Sequence, residues 1–274
     1  MNAIVIAMIA NLHAKPDSAS ELIDEVLYGM PVQVIEELEN DWVRIQTAYR
    51  YGGYCEKRNL LIDDKKTSTW LLKAQHVINQ RFADVLQAPK IQSSIIMTLV
   101  KGSIVHVVSD ETLSKEWAAI QLATGEIGYL RQQWLHQKVA ENSLAEPVFR
   151  ENVVQTALSY IATPYRWGGK SPLGIDCSGL CSIAYMLNGV TIFRDAKIVE
   201  GFPIKEITFE RMQKGDLLFF PGHVAMYIGQ TLYVHSSLGG NEVNINSLDE
   251  QHVLYRKDLA TTITAVGSLF YKEL

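Results

Sequence analysis

The stretch Thr163-Pro164-Tyr165-Arg166-Trp167-Gly168-Gly169, followed by Asp176-Cys177-Ser178-Gly179-Leu180, decides how the rest of the chain is interpreted. Its glycines and proline predict a tight loop, and the apolar spacing after Cys177 predicts a helix, so the cysteine stands where a helix begins. The first N–H groups and the dipole of a helix favour negative charge, and we therefore expect a lowered pKa for this thiol. The stretch predicts a nucleophilic cysteine that needs a histidine partner.

Length, composition and charge limit the classes of function. The 274 residues suffice for two or three small domains, and the 47% hydrophobic and 20% charged residues are typical of a soluble globular protein. A net charge of −5 argues against nucleic acid as the main partner, and it is compatible with binding a cationic group. Three cysteines do not suggest a disulfide framework, and no apolar run approaches the roughly 18 residues of a membrane span.

The N-terminus bears on localisation. Residues 3–10 are apolar, but the run is short and no Lys or Arg precedes it, whereas a secretory signal has a basic first region. We therefore expect a cytoplasmic protein, with an atypical signal peptide as the alternative. We also expect a monomer with no membrane partner.

The first half of the chain contains an internal repeat at an offset of 73 to 75 residues. The recurring patterns are Gly29-x-x-Val32-x-Val34 with Gly102-x-x-Val105-x-Val107, Asp41-Trp42-Val43 with Glu116-Trp117-Ala118, and Gly53-Tyr54 with Gly128-Tyr129. Each repeat is a series of short alternating runs separated by Gly, Asn and Asp, which is typical of a small all-β barrel.

The repeats resemble the bacterial SH3 domain, in which a Gly-x-x-Val strand, a Trp strand and a Gly-Tyr strand occur in this order. The resemblance implies a first barrel over residues 1–64 and a second over residues 75–140. The polar residues between them indicate a linker over 65–74.

From residue 147 onward the pattern predicts an α+β domain, with helices first and an antiparallel sheet after them. Helical stripes precede Thr163 and follow Cys177, the second ending near Asn188. The predicted strands are 217–220, 224–228, 232–235 and 265–271.

Two histidines are candidates for the partner of Cys177. His223 opens one strand and His235 lies near the end of the next. If the hairpin between them is centred on Gly229, the two histidines face each other across the strands, with Cβ atoms about 4.5–5.5 Å apart. His223 then takes the proton of Cys177, and His235 accepts a hydrogen bond from the far nitrogen of His223 and fixes its tautomer.

Five motifs of this domain resemble those of the NlpC-type, papain-like cell-wall cysteine peptidases. In chain order they are Thr163-Pro164-Tyr165-x-Trp167-Gly168-Gly169, Asp176-Cys177-Ser178-Gly179-Leu180, Lys214-Gly215-Asp216-Leu217, Gly222-His223-Val224-Ala225-x-Tyr227-x-Gly229 and Val234-His235-Ser236. The resemblance implies an α+β papain-like catalytic domain over 147–274, with helices packed on an antiparallel sheet, preceded by the two SH3-like barrels. It also implies the catalytic triad Cys177, His223 and His235. The backbone N–H of Cys177, at the helix start, is a natural oxyanion donor.

Substrate-lining residues are implied in the same way. The resemblance places Tyr165, Asp176 and Ser178 at the site, and Trp167 is compatible with either a core or a ligand role. Where the family often has Pro-Arg-Asp-Ser, this chain has Phe193-Arg194-Asp195-Ala196, so Asp195 is expected at the cleft and a hydroxyl contact from Ala196 is impossible.

Two SH3-like barrels before such a domain resemble the γ-D-glutamyl-L-diamino acid endopeptidases, including their cytoplasmic dipeptidyl-peptidase members. The resemblance implies a murein peptide substrate with a free N-terminal L-alanine, cut between D-glutamate and diaminopimelate or lysine. It also implies that the first barrel closes one end of the cleft and contacts the substrate amine. Since an ammonium favours a carboxylate and an aromatic face, our candidates for this contact are Glu21 or Glu25 and Tyr51 or Tyr54.

Other interpretations remain open at this stage. Cys177 would be an inert buried thiol in a murein- or peptide-binding SH3 protein with a silent catalytic domain, but the intact triad argues against it. An acyltransferase on the same scaffold is the third interpretation. We expect no cofactor and no metal, since His223 and His235 lack a carboxylate or cysteine pair at ligand spacing. Cys181 is expected in the core.

Overall fold

The computed structural model describes residues 1–110 and 112–271. It divides into two compact units, the first from Met1 to Lys138 and the second beginning at Val139.

In the first unit, the two repeats fold into antiparallel sheets of the same strand order. The first sheet has the order β3-β2-β6-β5-β4-β1-β7 and the second the order β10-β9-β13-β12-β11-β8-β14, so each strand of one repeat has its counterpart in the other. The strands of the first are β1 Asn2–Val5, β2 Ile9–His13, β3 Leu22–Leu27, β4 Pro31–Glu37, β5 Trp42–Thr47, β6 Gly52–Glu56 and β7 Leu60–Ile62. Those of the second are β8 His76–Ile78, β9 Phe82–Leu86, β10 Ile95–Val100, β11 Ile104–Val108, β12 Trp117–Gln121, β13 Ile127–Arg131 and β14 Leu135–Gln137.

Alternating burial explains why these segments are strands. In β5, Val43 and Ile45 are buried, whereas Arg44 and Gln46 are exposed, as expected when successive side chains point to opposite faces. Short 3₁₀ turns, Lys57–Asn59 and Gln132–Trp134, precede the last strand of each sheet at matching positions.

Residues 65–74, predicted to be a linker, lie almost entirely in a helix, α1 (Asp64–Lys73). Its N-cap is Asp63, whose side chain accepts a hydrogen bond from the backbone of Lys66. The polar composition that indicated a linker belongs to the solvent side of this helix. Trp70, on the other side, is buried, and its indole N–H donates to the carbonyl of Gly29 at 2.8 Å.

The two barrels of the first unit pack directly on each other around Tyr28 and Gly29. The backbone N–H of Ile104 donates to the carbonyl of Tyr28 at 2.9 Å, and the N–H of Ala123 donates to the Tyr28 hydroxyl at 2.7 Å. Gly29 has φ +78°, and a Cβ there would lie 2.1 Å from the carbonyl oxygen of Ile104. Glycine is required here both by the left-handed backbone and by the close approach of the second barrel.

The two barrels differ in the polarity of equivalent positions. In the first barrel, Asp24 and Glu25 of β3 are buried opposite β2. At the same ladder positions, the second barrel has Met97 and Thr98. The hydroxyl of Tyr49 donates to the Asp24 carboxylate, which accounts for one buried charge. The first barrel therefore carries a buried acidic pair that the second lacks.

The second unit has helices α2 (Glu146–Leu158), α3 (Cys177–Leu187) and the single turn α4 (Lys257–Ala260). Its six-stranded antiparallel sheet has the order β17-β22-β18-β19-β20-β21, and β15 and β16 form a separate two-stranded ribbon. The strands are β15 Lys170–Ser171, β16 Gly174–Ile175, β17 Lys205–Ile207, β18 Leu217–Phe220, β19 His223–Gly229, β20 Leu232–Ser237, β21 Glu242–Ser247 and β22 Ala265–Ser268. A 3₁₀ turn, Phe209–Arg211, lies between β17 and β18.

The predicted α+β class with antiparallel sheet is confirmed, with three differences in detail. Strand β22 ends at Ser268 rather than at residue 271. Two edge strands, β17 and β21, lie outside the predicted segments. Helix α2 ends at Leu158, because the chain then turns and Ala162 adopts φ 63° before Thr163-Pro164.

Helix α3 is fixed by apolar and polar contacts within this unit. Phe149 of α2 packs edge-on against Tyr185 of α3, with ring centroids 5.2 Å apart. The Tyr185 hydroxyl donates to the carbonyl of Gly215 at 2.6 Å, and Arg150 forms a buried ion pair with Asp216 at 2.8 Å. These contacts hold α3 against α2 and against the turn that leads into the sheet.

Candidate active site

Cys177 is the first residue of α3 and is 7% exposed. Asp176 is the N-cap of the helix, and its side chain accepts a hydrogen bond from the N–H of Gly179 at 2.5 Å. The predicted position of the cysteine at a helix start is therefore confirmed. Its backbone N–H is one of the first four of the helix, which have no partner inside the helix.

The expected lowering of the thiol pKa is wrong. Burial raises the pKa of Cys177 to about 11, and the neighbouring Asp176 carboxylate adds to the rise. The backbone N–H groups of Val224 and Ser178 act in the opposite direction but do not overcome desolvation. In the resting protein Cys177 is a neutral thiol, and it needs a base to become a nucleophile.

His223 and His235 lie within hydrogen-bond distance, but the hairpin differs from the predicted one. Its turn is at Gln230 and Thr231, both with positive φ, and Met226 pairs with Val234. That register, continued, places Ala225 opposite His235, so the two histidines are diagonal neighbours on one face. The prediction that they face each other directly is wrong by two residues, because the turn is centred after Gly229. The long imidazoles still meet, with His223 Nε2 2.8 Å from His235 Nδ1.

A third polar side chain continues this series. Nε2 of His235 lies 2.9 Å from Oδ1 of Asn246, in the edge strand β21. The sequence interpretation did not single out Asn246, because β21 was not recognised as a strand. The alternation of Val243 and Ile245 with polar neighbours was the available signal.

Burial keeps both imidazoles neutral. It lowers the pKa of His223 to about 3, with His235 as the next cause, and it lowers the pKa of His235 to about 4, against the effect of the hydrogen bond that His235 makes to Asn246. His235 has no exposed surface. At neutral pH the described site therefore contains a neutral thiol and two neutral histidines.

The other side of Cys177 is an ion pair. The Asp176 carboxylate accepts two hydrogen bonds from the Arg194 guanidinium, at 3.1 and 3.0 Å, besides those from the N–H groups of Gly168 and Gly179 and the Ser178 hydroxyl. Arg194 is 1% exposed and also donates to Ser178 at 2.8 Å. Asp176, predicted to line the substrate site, thus has both oxygens engaged within the protein. Arg194 was quoted in the sequence but given no role.

Tyr165 and Trp167 flank the loop before α3. Tyr165 bridges to Ile175, and burial raises its pKa to about 12, with Cys177 as the next cause. Its hydroxyl therefore stays protonated beside Cys177 and is able to donate a hydrogen bond. Trp167 is 61% exposed, which argues against a core role.

A pocket open to solvent adjoins this site in the second unit, and its lining includes Ser178, Asp195, Phe193 and Lys197. Buried Cys181 also lines it, so the expected core position of that thiol is confirmed. Ser178 and Asp195, both predicted to contact substrate, thus open on one space. Apolar walls with a few polar groups are typical of small-ligand sites.

The candidates for amine recognition lie in the first barrel. Glu25 is buried in β3, Glu21 is exposed just before β3, and Tyr51 and Tyr54 are half-buried at and within β6. Their contact with a substrate amine stays a prediction.

Metal binding and membrane insertion were the other functions to consider for residues 1–110 and 112–271. No group of three or more His, Cys, Asp or Glu side chains in these ranges is placed to hold a metal ion. No helix in them combines the length and apolarity required to cross a bilayer.

Comparison with known proteins identifies relatives for both units. The NlpC/P60 family profile matches residues 162–261, and the bacterial SH3 domain profile matches residues 10–60. Dipeptidyl-peptidase 6 of Lysinibacillus sphaericus is 77% identical over 271 residues, which cover 98% of this chain and 100% of that protein. The gamma-D-glutamyl-L-lysine dipeptidyl-peptidase of Bacillus cereus is 27% identical over 256 residues, covering 85% of this chain and 72% of that protein.

A solved structure has the same fold. The crystal structure of an NlpC/P60 family protein from Bacillus cereus matches with a TM-score of 0.77 at 20% identity, covering 97% of this chain and 98% of that chain.

Proposed function

Because the chain belongs to the NlpC/P60 family and is a cysteine peptidase of that family, we propose that it cleaves murein peptides at the bond between D-glutamate and a diamino acid. Its substrate is L-Ala-γ-D-Glu linked to meso-diaminopimelate or lysine, and its product is L-Ala-D-Glu. The dipeptidyl-peptidase names of the two relatives support release of a dipeptide, and the name of the Bacillus cereus relative supports a γ-D-glutamyl bond.

One observation carries the chemistry: a hydrogen-bonded pair of neutral imidazoles, on the neighbouring strands β19 and β20, lies next to a buried thiol at a helix start. The N–H of Val224, the neighbour of His223, acts on the Cys177 sulfur, which puts β19 beside the nucleophile. In this arrangement His223 removes the thiol proton as the sulfur attacks, since neither group is charged beforehand.

The steps then follow the acyl-transfer pattern. The sulfur of Cys177 bonds to the γ-carbonyl carbon of D-glutamate, and the thiol proton passes to His223. His223 gives this proton to the amine of the departing diamino acid, and a thioester remains on Cys177. Water, deprotonated by His223, then attacks the thioester, and L-Ala-D-Glu leaves as Cys177 regains its proton.

The developing oxyanion needs hydrogen-bond donors. The backbone N–H of Cys177, without a partner inside the helix, is one donor, and the protonated hydroxyl of Tyr165 is a second candidate. The cavity beside Ser178 and Asp195 is our candidate for the part of the substrate on the dipeptide side. Ala196 supplies no hydroxyl there.

Recognition of the substrate amine is the finer part of the proposal. The choice of Glu25 as amine partner is supported by the buried acidic pair of the first barrel. The second barrel, which repeats the same pattern, has Met97 and Thr98 at these positions. Glu21, Tyr51 and Tyr54 remain alternatives. We further propose that the protein acts as a monomer in the cytoplasm on wall peptides being recycled.

The test is an incubation with L-Ala-γ-D-Glu-meso-diaminopimelate, followed by mass spectrometry for L-Ala-D-Glu. We expect release by the native protein and none by Cys177→Ala. Cleavage at another bond would overturn the proposed specificity, and full activity of Cys177→Ala would overturn the mechanism. Equal turnover of an N-acetylated substrate would refute amine recognition alone. Addition of a free amine would reveal an acyltransferase as a new acyl–amine product.

A further inference from the structure

The His223–His235 pair has an outer partner whose orientation is fixed by the backbone. Asn246 places Oδ1 2.9 Å from His235 Nε2, and its Nδ2 donates to the carbonyl of Leu254 at 3.0 Å. A backbone carbonyl only accepts hydrogen bonds, so the NH₂ of the Asn246 amide must face Leu254 and its oxygen must face His235.

This orientation determines the tautomer of each histidine in turn. Since Oδ1 of Asn246 accepts, His235 carries its proton on Nε2 and has a lone pair on Nδ1. His223 must then donate from Nε2 to that lone pair, across 2.8 Å. The proton of neutral His223 is thereby on Nε2, and Nδ1 of His223 is left with the lone pair that a base requires.

The carbonyl of Leu254 is itself held in place. It accepts a second hydrogen bond, from the backbone N–H of Ser247 at 2.9 Å, and Ser247 and Tyr255 form a bridge beside it. The segment after β21 therefore turns back against the strand and presents one carbonyl to the Asn246 amide.

We infer that Asn246 is a positioning residue for the peptidase reaction: held by the Leu254 carbonyl, it sets the tautomers of His235 and His223 so that Nδ1 of His223 is the base for Cys177. The inference rests on the proposed roles of Cys177 and His223.

A neutral amide suits this position better than a carboxylate. Four titratable or charged groups face His235, namely His223, Tyr233, Arg256 and Asp258. Arg256 and Asp258 form an ion pair with each other, and they act on the histidines with opposite signs. The amide of Asn246 is itself uncharged, so it orients the imidazole of His235 without stabilising the protonated form. A carboxylate in its place would stabilise that form.

Two substitutions and one matched control test this role by kinetics. Asn246→Leu removes both hydrogen bonds. We expect kcat to fall about 10- to 100-fold with little change in KM, because part of the rate contributed by general acid–base catalysis is lost. Asn246→Asp keeps an acceptor for His235 but adds charge, so the acid limb of the kcat/KM profile should move up by about one pH unit or more. Asn152→Leu is the control, since it makes the same change at an exposed asparagine of α2. We expect it to cost less than about threefold in kcat.

A second readout does not depend on turnover. In ¹⁵N-histidine-labelled protein, the imidazole shifts should show protonated Nε2 on both histidines, with His235 becoming a mixture of tautomers in Asn246→Leu. Protonation of His223 on Nδ1 in the native protein would overturn the inference, as would an equal loss in Asn152→Leu or an unshifted profile in Asn246→Asp. Activity retained by Cys177→Ala would refute the proposed function. The tautomer measurement would still decide whether Asn246 orients the two histidines.

Discussion

Cys177 lies between two polar clusters of opposite character. On the helix side, Asp176 and Arg194 form a buried ion pair with full charges. On the strand side, His223, His235 and Asn246 form a chain of neutral groups. The charged groups and the groups that transfer the proton are therefore different residues. The ion pair holds the loop and the helix start in place, and the neutral chain accepts the proton.

The largest expected effect comes from breaking the strand side. His223→Ala removes the base for a thiol whose pKa is about 11, so kcat/KM should fall by about 10⁴-fold or more. The free energy of unfolding should change far less than the rate, since the histidine is neutral and its loss leaves no buried charge. Steady-state kinetics and urea unfolding measure the two quantities. His136→Ala, at an exposed histidine of the second barrel, is the control. A residual rate within tenfold of the native protein would contradict the neutral-chain account.

Breaking the helix side should mainly affect stability. Arg194→Met leaves the Asp176 carboxylate buried without its cation, and we expect a loss of about 3–5 kcal/mol in the free energy of unfolding. Asp176→Asn added to Arg194→Met removes the uncompensated charge and should restore part of that loss. Urea midpoints of the native, single and double variants measure the effect. Equal stability of Arg194→Met and the native protein would show that the ion pair does not hold this loop.

The neutral chain also predicts how stability depends on pH. Both histidines have folded-state pKa values, about 3 and about 4, below their ordinary value, so the unfolded chain binds protons that the folded chain does not. Stability is therefore expected to fall as the pH falls from about 6.5 toward 4, by about 1.4 kcal/mol per pH unit for each histidine at most. Urea unfolding across this range should give a shallower slope for His235→Asn than for the native protein. Identical slopes would contradict burial of a neutral His235.

The smallest expected effect separates two roles of Ser178. Its hydroxyl accepts from Arg194 at 2.8 Å, and it also lines the cavity assigned to substrate. Ser178→Ala should lower the free energy of unfolding by about 1 kcal/mol through the lost hydrogen bond. If KM for the tripeptide substrate also rises in Ser178→Ala, the hydroxyl contacts the substrate as well. An unchanged KM would confine Ser178 to the helix-side cluster.

Local patterns predicted much of this molecule. The repeat at constant offset and the alternation in segments such as β5 indicated two barrels, and the apolar stripe after Cys177 indicated α3. The family motifs brought His223 and His235 together as partners, and the 2.8 Å contact agrees with that pairing.

Long-range burial could not be read from the same patterns. The pKa of Cys177 depends on how deeply the fold covers it, so the helix start alone gave the wrong direction. The hairpin register depended on a turn at Gln230 and Thr231, two residues without the glycine or asparagine that usually announces positive φ. Arg194 and Asn246 reach their partners from 18 and 11 residues away, distances that no short motif spans.

In the resting protein the thiol and both histidines are uncharged, and the proton stays on Cys177 until His223 removes it. The ultraviolet absorbance of the thiolate, taken as the difference between the native protein and Cys177→Ala, measures this directly between about pH 5 and about pH 9. We predict a difference close to zero over that range, because the thiol pKa is about 11 and the His223 pKa is about 3. A full thiolate signal at neutral pH that disappears with His223→Ala would contradict the claim and show a preformed thiolate–imidazolium pair.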